Sequence, residues 1–128
     1  MEDADSFAGP GPDFVHAKAL EEGRFLIQHC TSCGSHVFMP RVLCPHCGGA
    51  RLEWTPIAGR GTVYSTTVVR RKPEHGGDYD VSLIDLQEGV RLMSRVEEIE
   101  PAAVHIGMDV KARIIETTSG NVLTFVPA

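Results

Sequence analysis

The chain has 128 residues, 42% of them hydrophobic, a size and composition suited to one folded domain or a domain with a small appendage. Its net charge of −5 argues against a nucleic-acid binder, because such domains usually carry a basic surplus. No run of about 18 apolar residues occurs, so no membrane-spanning helix is expected.

The first residues, "MEDADSFAGPGPDF", are acidic and rich in Gly and Pro, with neither a basic start nor an apolar stretch. They read as a disordered leader over 1–12, not as a signal peptide. A cytoplasmic protein is expected. In "PDFVHAKALEEGR", Phe14, Ala17 and Leu20 recur at helical spacing, with Asp13 as N-cap and Gly23 as stop. This predicts one short helix over 13–24.

Residues 25–56 hold every cysteine. Cys30-Thr31-Ser32-Cys33-Gly34 and Cys44-Pro45-His46-Cys47-Gly48 are two C-x-x-C knuckles separated by ten residues. Two intervening residues let both thiolates of a pair reach one ion. The following glycine permits the positive φ at which the chain turns back toward sulfur. Four thiolates suit a tetrahedral Zn²⁺. Disulfides would need an oxidising compartment, which the leader does not suggest. A thioredoxin-like redox pair would need a helix beside a parallel sheet, and that pattern is missing. Iron uses similar knuckles in rubredoxin, so the spacing leaves zinc and iron both open. Four thiolates close the tetrahedron, which makes the expected role structural rather than catalytic. His29, His36 and His46 read as bystanders to a complete cysteine set. Arg41 sits between the knuckles, either offsetting their negative charge or exposed on the turn.

After "GRG" at 59–61 the texture becomes β-branched. "TVYSTTVVR" reads as a strand. "VSLIDL" and "VRLMSRV" flank "QEG", and "VKARIIE" and "NVLTFV" flank "TTSG", giving two hairpins. The connector "EEIEPAAVHIGM" has room for one turn of helix. Five antiparallel strands with an interruption before the fourth predict an OB-type barrel over 57–128. Val90, Leu92 and Val96 are expected on one face, Arg91 and Arg95 on the other. The predicted fold is therefore mainly β: a short N-terminal helix, a rubredoxin-like zinc ribbon, then a five-stranded OB-fold barrel.

Independent catalysis finds little support. The cysteines are committed to metal. His75, with Glu74 and Asp78, lies in a polar loop, and His105 lies in the connector. Neither is paired with a nucleophile elbow. Asp85 and Glu88 read as ordinary hairpin carboxylates.

"GRFLIQHCTSCGSHVFMPRVLCPHCGG", "LEWTPIAGRGTVYSTTVV", "VSLIDLQEGVRLMSRV", "IGMDV" and a final "FVPA" together resemble domain-of-unknown-function family thirty-five over roughly residues 13–128. The resemblance implies a helical segment, a zinc ribbon and an OB-fold. It also implies an accessory subunit, non-catalytic alone, of a thiolase-superfamily, aldolase or hydratase enzyme acting on acyl-CoA in the degradation of fatty acids, aromatics or steroids. The ribbon and helix would then form a docking surface, and the barrel would border the site for CoA or acyl-CoA. Such a ligand needs Arg or Lys for its phosphates. Arg60, set between two glycines, and the run Arg70-Arg71-Lys72 are the candidates, with Arg91 and Arg95 behind them as outward strand charges. The rival reading is a zinc-ribbon and OB-fold nucleic-acid binder. It is weakened by the lack of any aromatic in "VSLIDL" and "VRLMSRV", where bases would stack. Trp54, Tyr64 and Tyr79 are expected elsewhere. Phe14, Phe25, Phe38 and Trp54 are expected in the core.

Overall fold

A computed structural model describes residues 11–128. Most of the expected leader therefore lies outside the described residues. The chain divides into two compact units, the first ending at Ile57 and the second being Ala58–Ala128. Among the described residues no helix is long and apolar enough to cross a membrane.

The first unit opens with helix α1 (Pro12–Glu21). Pro12 occupies its first turn, where a missing N–H costs nothing. The N-cap is Gly11, not Asp13, and it makes no side-chain cap bond. Asp13 lies inside the first turn, where its charge faces the positive end of the helix dipole. The helix ends as expected at Gly23, whose φ is +82°. There the Arg24 N–H returns to the Ala19 carbonyl at 2.9 Å, the six-to-one bond of a Schellman cap.

The predicted apolar face of α1 is out of phase. Phe14 is 60% exposed, whereas Ala19 is buried. The side chain that packs inward is His16, edge-on to Phe25 at 4.8 Å and near the rings of Phe38 and Trp54. Its Nδ1 lies 3.0 Å from the Leu26 carbonyl oxygen. Three rings offer a surface that an imidazole covers as well as a phenyl group does, which frees Phe14 from the core.

Three short strands follow, β1 (Leu26–Cys30), β2 (His36–Val37) and β3 (Leu52–Pro56), in the antiparallel order β2-β1-β3. They arise from the apolar runs "FLI", "HVF" and "LEW". Gln28 is buried on β1, and its side-chain amide grips residue 41 twice. It donates to the Arg41 carbonyl at 2.7 Å and accepts from the Arg41 N–H at 2.7 Å. The span between the knuckles is thus tied to the sheet through its backbone.

The second unit holds β4 (Arg60–Val69), β5 (Tyr79–Leu86), β6 (Arg91–Ser94), β7 (Asp109–Thr117) and β8 (Gly120–Pro127). All five expected strands and both hairpins are present. The connector supplies one 3-10 turn, Pro101–Ala103. The sheet order is β6-β5-β4-β7-β8, and a parallel bridge between Val96 and Phe125 joins its two ends. The Phe125 N–H donates to the Arg95 carbonyl at 3.0 Å and the Glu97 N–H to the Phe125 carbonyl at 2.7 Å. These bonds close the barrel.

Burial alternates strictly along β5, with Asp80, Ser82, Ile84 and Leu86 pointing inward. Val90, Leu92 and Val96 are buried while Arg91 and Arg95 are exposed, as the alternation predicts. A register shift between Val63 and Ser65 bends β4 and turns Tyr64 outward. Gly61 sits where β4 and β5 approach closely, and a Cβ there would lie 2.7 Å from Ile84 Cγ2.

One polar group belongs to this core. Asp80 is 2% exposed, and its carboxylate accepts from the Val96 N–H at 3.1 and 3.0 Å and from the Ser82 hydroxyl at 2.6 Å. It thereby fixes residue 96, the point at which the barrel closes. A buried carboxylate is tolerated when its lone pairs are filled in this way.

Candidate metal centre

The four cysteines come together from two structurally equivalent turns. In the first, the Gly34 N–H donates to the Cys30 carbonyl and the Cys30 N–H to the Ser35 carbonyl, both at 2.8 Å. In the second, the Gly48 N–H donates to the Cys44 carbonyl and the Cys44 N–H to the Gly49 carbonyl, again at 2.8 Å. Gly34 and Gly48 have φ of +81° and +78°, the left-handed conformation expected of both. Cys30 closes strand β1 and is buried, as is Cys44, while Cys33 and Cys47 are exposed. Val37 and Leu52 pack against the buried pair.

All four sulfurs lie within 4.8 Å of one another. Cys30 Sγ is 3.6 Å from Cys47 Sγ, and Cys33 Sγ is 3.8 Å from Cys44 Sγ. A tetrahedral zinc bonded at about 2.3 Å holds its sulfurs about 3.8 Å apart, whereas a disulfide brings them to about 2.05 Å. The four cysteines are therefore positioned for metal binding. Backbone N–H groups of His46 and Gly49 point at Cys44 and Cys47 sulfur, both at 3.4 Å.

The thiols are electrostatically unequal. The Ser35 hydroxyl and then its backbone N–H lower Cys33 to about 6. Cys30 is lowered chiefly by the Cys33 backbone N–H, against the effect of its burial. The Gly49 N–H pulls Cys47 down, but the adjoining Cys30 thiol, desolvation and the other two thiols push it up to about 11. Four sulfurs at this spacing cannot all ionise without a cation among them.

The cationic residues proposed for phosphate do not form one cluster. Arg60 starts β4 and Arg70 follows its end, so roughly 30 Å of strand separates them. Arg60 lines an open cleft of ≈ 570 Å³ together with Thr62, Asp85, Gln87 and Asp109. Both signs of charge face that space. Gly59 is left-handed at φ +92°, and Gly61 is needed for strand approach, so each glycine has a packing or turning reason to be there.

Arg70 pairs with Asp78 at 2.7 Å, and the Arg71 N–H donates to the same carboxylate at 3.0 Å. The Arg71 guanidinium lies 5.0 Å from the Tyr79 ring centre. The backbone carbonyl of Lys72 accepts from His75 and Gly77, and its side chain is exposed.

Tyr79 corrects the sequence reading. The strand containing "VSLIDL" begins two residues earlier than that run, so β5 does carry an aromatic. Tyr79 was missed because Gly76 and Gly77 placed the loop boundary too late. Arg95 lies 5.5 Å from its ring, and Arg91 sits 3.4 Å over the ring of Tyr64 while gripping Asp85 at 2.6 and 3.3 Å. Both tyrosines on this sheet, exposed Tyr64 and half-buried Tyr79, already lie against guanidinium groups.

Comparison with known proteins agrees with the two-part reading. The family profile described as "ChsH2, rubredoxin-like zinc ribbon domain" matches residues 17–53, and "ChsH2, C-terminal OB-fold domain" matches 54–114. A "DUF35 domain-containing scaffold protein" of Methanocaldococcus jannaschii is 34% identical over 103 residues, covering 75% of this chain and 73% of that one. A "Probable enoyl-CoA hydratase alpha subunit" of Thermomonospora curvata is 36% identical over 95 residues. That match covers 73% of this chain but only 30% of the longer protein. Among solved structures, a chain of the "Ltp2-ChsH2(DUF35) aldolase" superposes with a TM-score of 0.80 at 31% identity, covering 94% of this chain and 97% of that one.

Proposed function

The chain belongs to the DUF35 family, and from that premise we propose that it is an accessory subunit, non-catalytic alone, of an enzyme complex that processes acyl-CoA thioesters. One observation carries this reading. Nearly the whole chain superposes on nearly the whole of a chain from an Ltp2-ChsH2 aldolase, at an identity of 31%. The hydratase alpha subunit named above supports the same class of partner. The partner is a thiolase-superfamily enzyme, or an aldolase or hydratase of equivalent role.

In this reading Cys30, Cys33, Cys44 and Cys47 hold one Zn²⁺. The donor set and sulfur spacing fit that ion, and four thiolates leave no position for water or substrate. Zinc supplies folding energy to the ribbon, on the order of 10 kcal/mol for sites of this kind. The barrel borders the CoA channel. Arg60 at one end of β4, or Arg70, Arg71 and Lys72 at the other, meets phosphate.

Affinity purification of the tagged chain, co-expressed with the products of adjacent reading frames, tests the assignment. A stoichiometric CoA-thioester enzyme is expected in the eluate, active only as the complex. Recovery of the chain alone, or with nucleic acid released by salt, would overturn it.

A further inference from the structure

Two histidines left aside by the cysteine cluster lie directly opposite each other. His29 on β1 and His36 on β2 are register partners, so their side chains leave the same face of the sheet. Their ring centres are 4.8 Å apart and the rings are inclined by 42°. Two imidazoles bound to one ion at about 2.0–2.1 Å place each ring centre about 3.2 Å from the metal. For ligand angles between square and tetrahedral, the ring centres are then about 4.5–5.2 Å apart, a range that contains the observed separation.

The surroundings suit a cation. Neither imidazole makes a hydrogen bond among the described residues, although both rings are half-buried. Glu53 on β3 is the register partner of His29 from the other side, so His36, His29 and Glu53 cross the three-stranded sheet in one row on one face. Glu53 is exposed and makes no ion pair among the described residues. The side chain of Cys30 leaves the opposite face, because successive residues of a strand alternate. A zinc-filled tetrathiolate has two net negative charges, which favour a second cation nearby.

We propose that His29 and His36 form a second divalent-metal site, with the neighbouring Glu53 carboxylate adding negative charge, separate from the four-cysteine centre. Two imidazoles select a borderline ion such as Zn²⁺, Ni²⁺ or Co²⁺ over Mg²⁺ or Ca²⁺. Two protein ligands leave positions open, unlike the closed tetrathiolate.

The test uses the full chain already loaded with one zinc. Equilibrium dialysis against micromolar free Zn²⁺, followed by metal analysis, should show a second equivalent. Titration with Ni²⁺ by calorimetry should show one site without loss of the first zinc. His29→Gln and His36→Gln should each abolish the second equivalent and retain the first, which separates loss of this site from loss of the ribbon. Glu53→Gln should weaken binding several-fold. His75→Ala, in a loop of the second unit, should leave two equivalents. Wild type saturating at one equivalent, or both glutamine variants still binding two, would overturn the proposal.

Discussion

Replacing Gly61 by alanine tests how closely the barrel strands are fitted. The added Cβ would stand 2.7 Å from Ile84 Cγ2 and 2.9 Å from the Asp85 carbonyl oxygen. Ordinary carbon contacts begin near 3.5 Å, so the overlap with Ile84 approaches about 1 Å. Neither neighbour has an easy retreat. Ile84 is fully buried, and the carbonyl belongs to the backbone of β5. Gly61 pairs with Leu86 on one side and Val110 on the other, so its own strand is held on both edges. Overpacking of this kind costs roughly 1–3 kcal/mol. In a unit of this size each kcal/mol lowers the melting temperature by about 4–8 °C, so a fall of roughly 5–20 °C is expected. Thermal melts followed by circular dichroism would report the barrel, and emission from Trp54, the one tryptophan, would report the ribbon separately. An alanine variant that melts with wild type would refute the reasoning, since it would mean the strands part at no cost.

Two further outcomes follow from polar groups. Asp80→Asn replaces one acceptor oxygen by a donor facing the Val96 N–H and the Ser82 hydroxyl. It should destabilise the barrel by about 1–3 kcal/mol and raise hydrogen exchange at the Val96 amide selectively; unchanged exchange there would refute the pinning role. The carboxyl of Asp78 is held below its ordinary value of 3.8 by the Arg71 N–H and then by the Arg70 guanidinium. Because its folded value is depressed, its contribution is complete above that ordinary value and disappears as pH falls through the folded one. The Arg71 amide resonance should therefore titrate with a midpoint below pH 3.8, and a flat response into strong acid would exclude the contact.

The features legible in the sequence were the local ones. Two C-x-x-C-G runs specify their own turns, because ligand spacing and a left-handed glycine are short-range requirements. The hairpins about Gly89 and Gly120 were readable for the same reason. What escaped depends on partners distant along the chain. Phe14 has helical spacing, yet the surface that decides which helical face is buried comes from Phe25, Phe38 and Trp54. Asp80 looks like a solvated loop residue until Val96 arrives to fill its lone pairs. His29 and His36 are seven residues apart and reveal nothing until the register of β1 with β2 sets them face to face. The arginines show the same dependence: the sequence offers Arg60 and the Arg70-Arg71-Lys72 run as separate candidates, and only the length of β4 shows that they lie at its opposite ends.

The bridge between Val96 and Phe125 limits how this protein can recruit company. Where residues 95–97 meet Phe125 the backbone donors and acceptors are already matched, so a visiting segment cannot add a strand at that seam. Whatever meets the barrel at that seam must read its side chains or its loops. Beyond residue 63 the long strand β4 is paired with β5 alone and keeps an unmatched side, as do β2 and β3 at the borders of the small ribbon sheet.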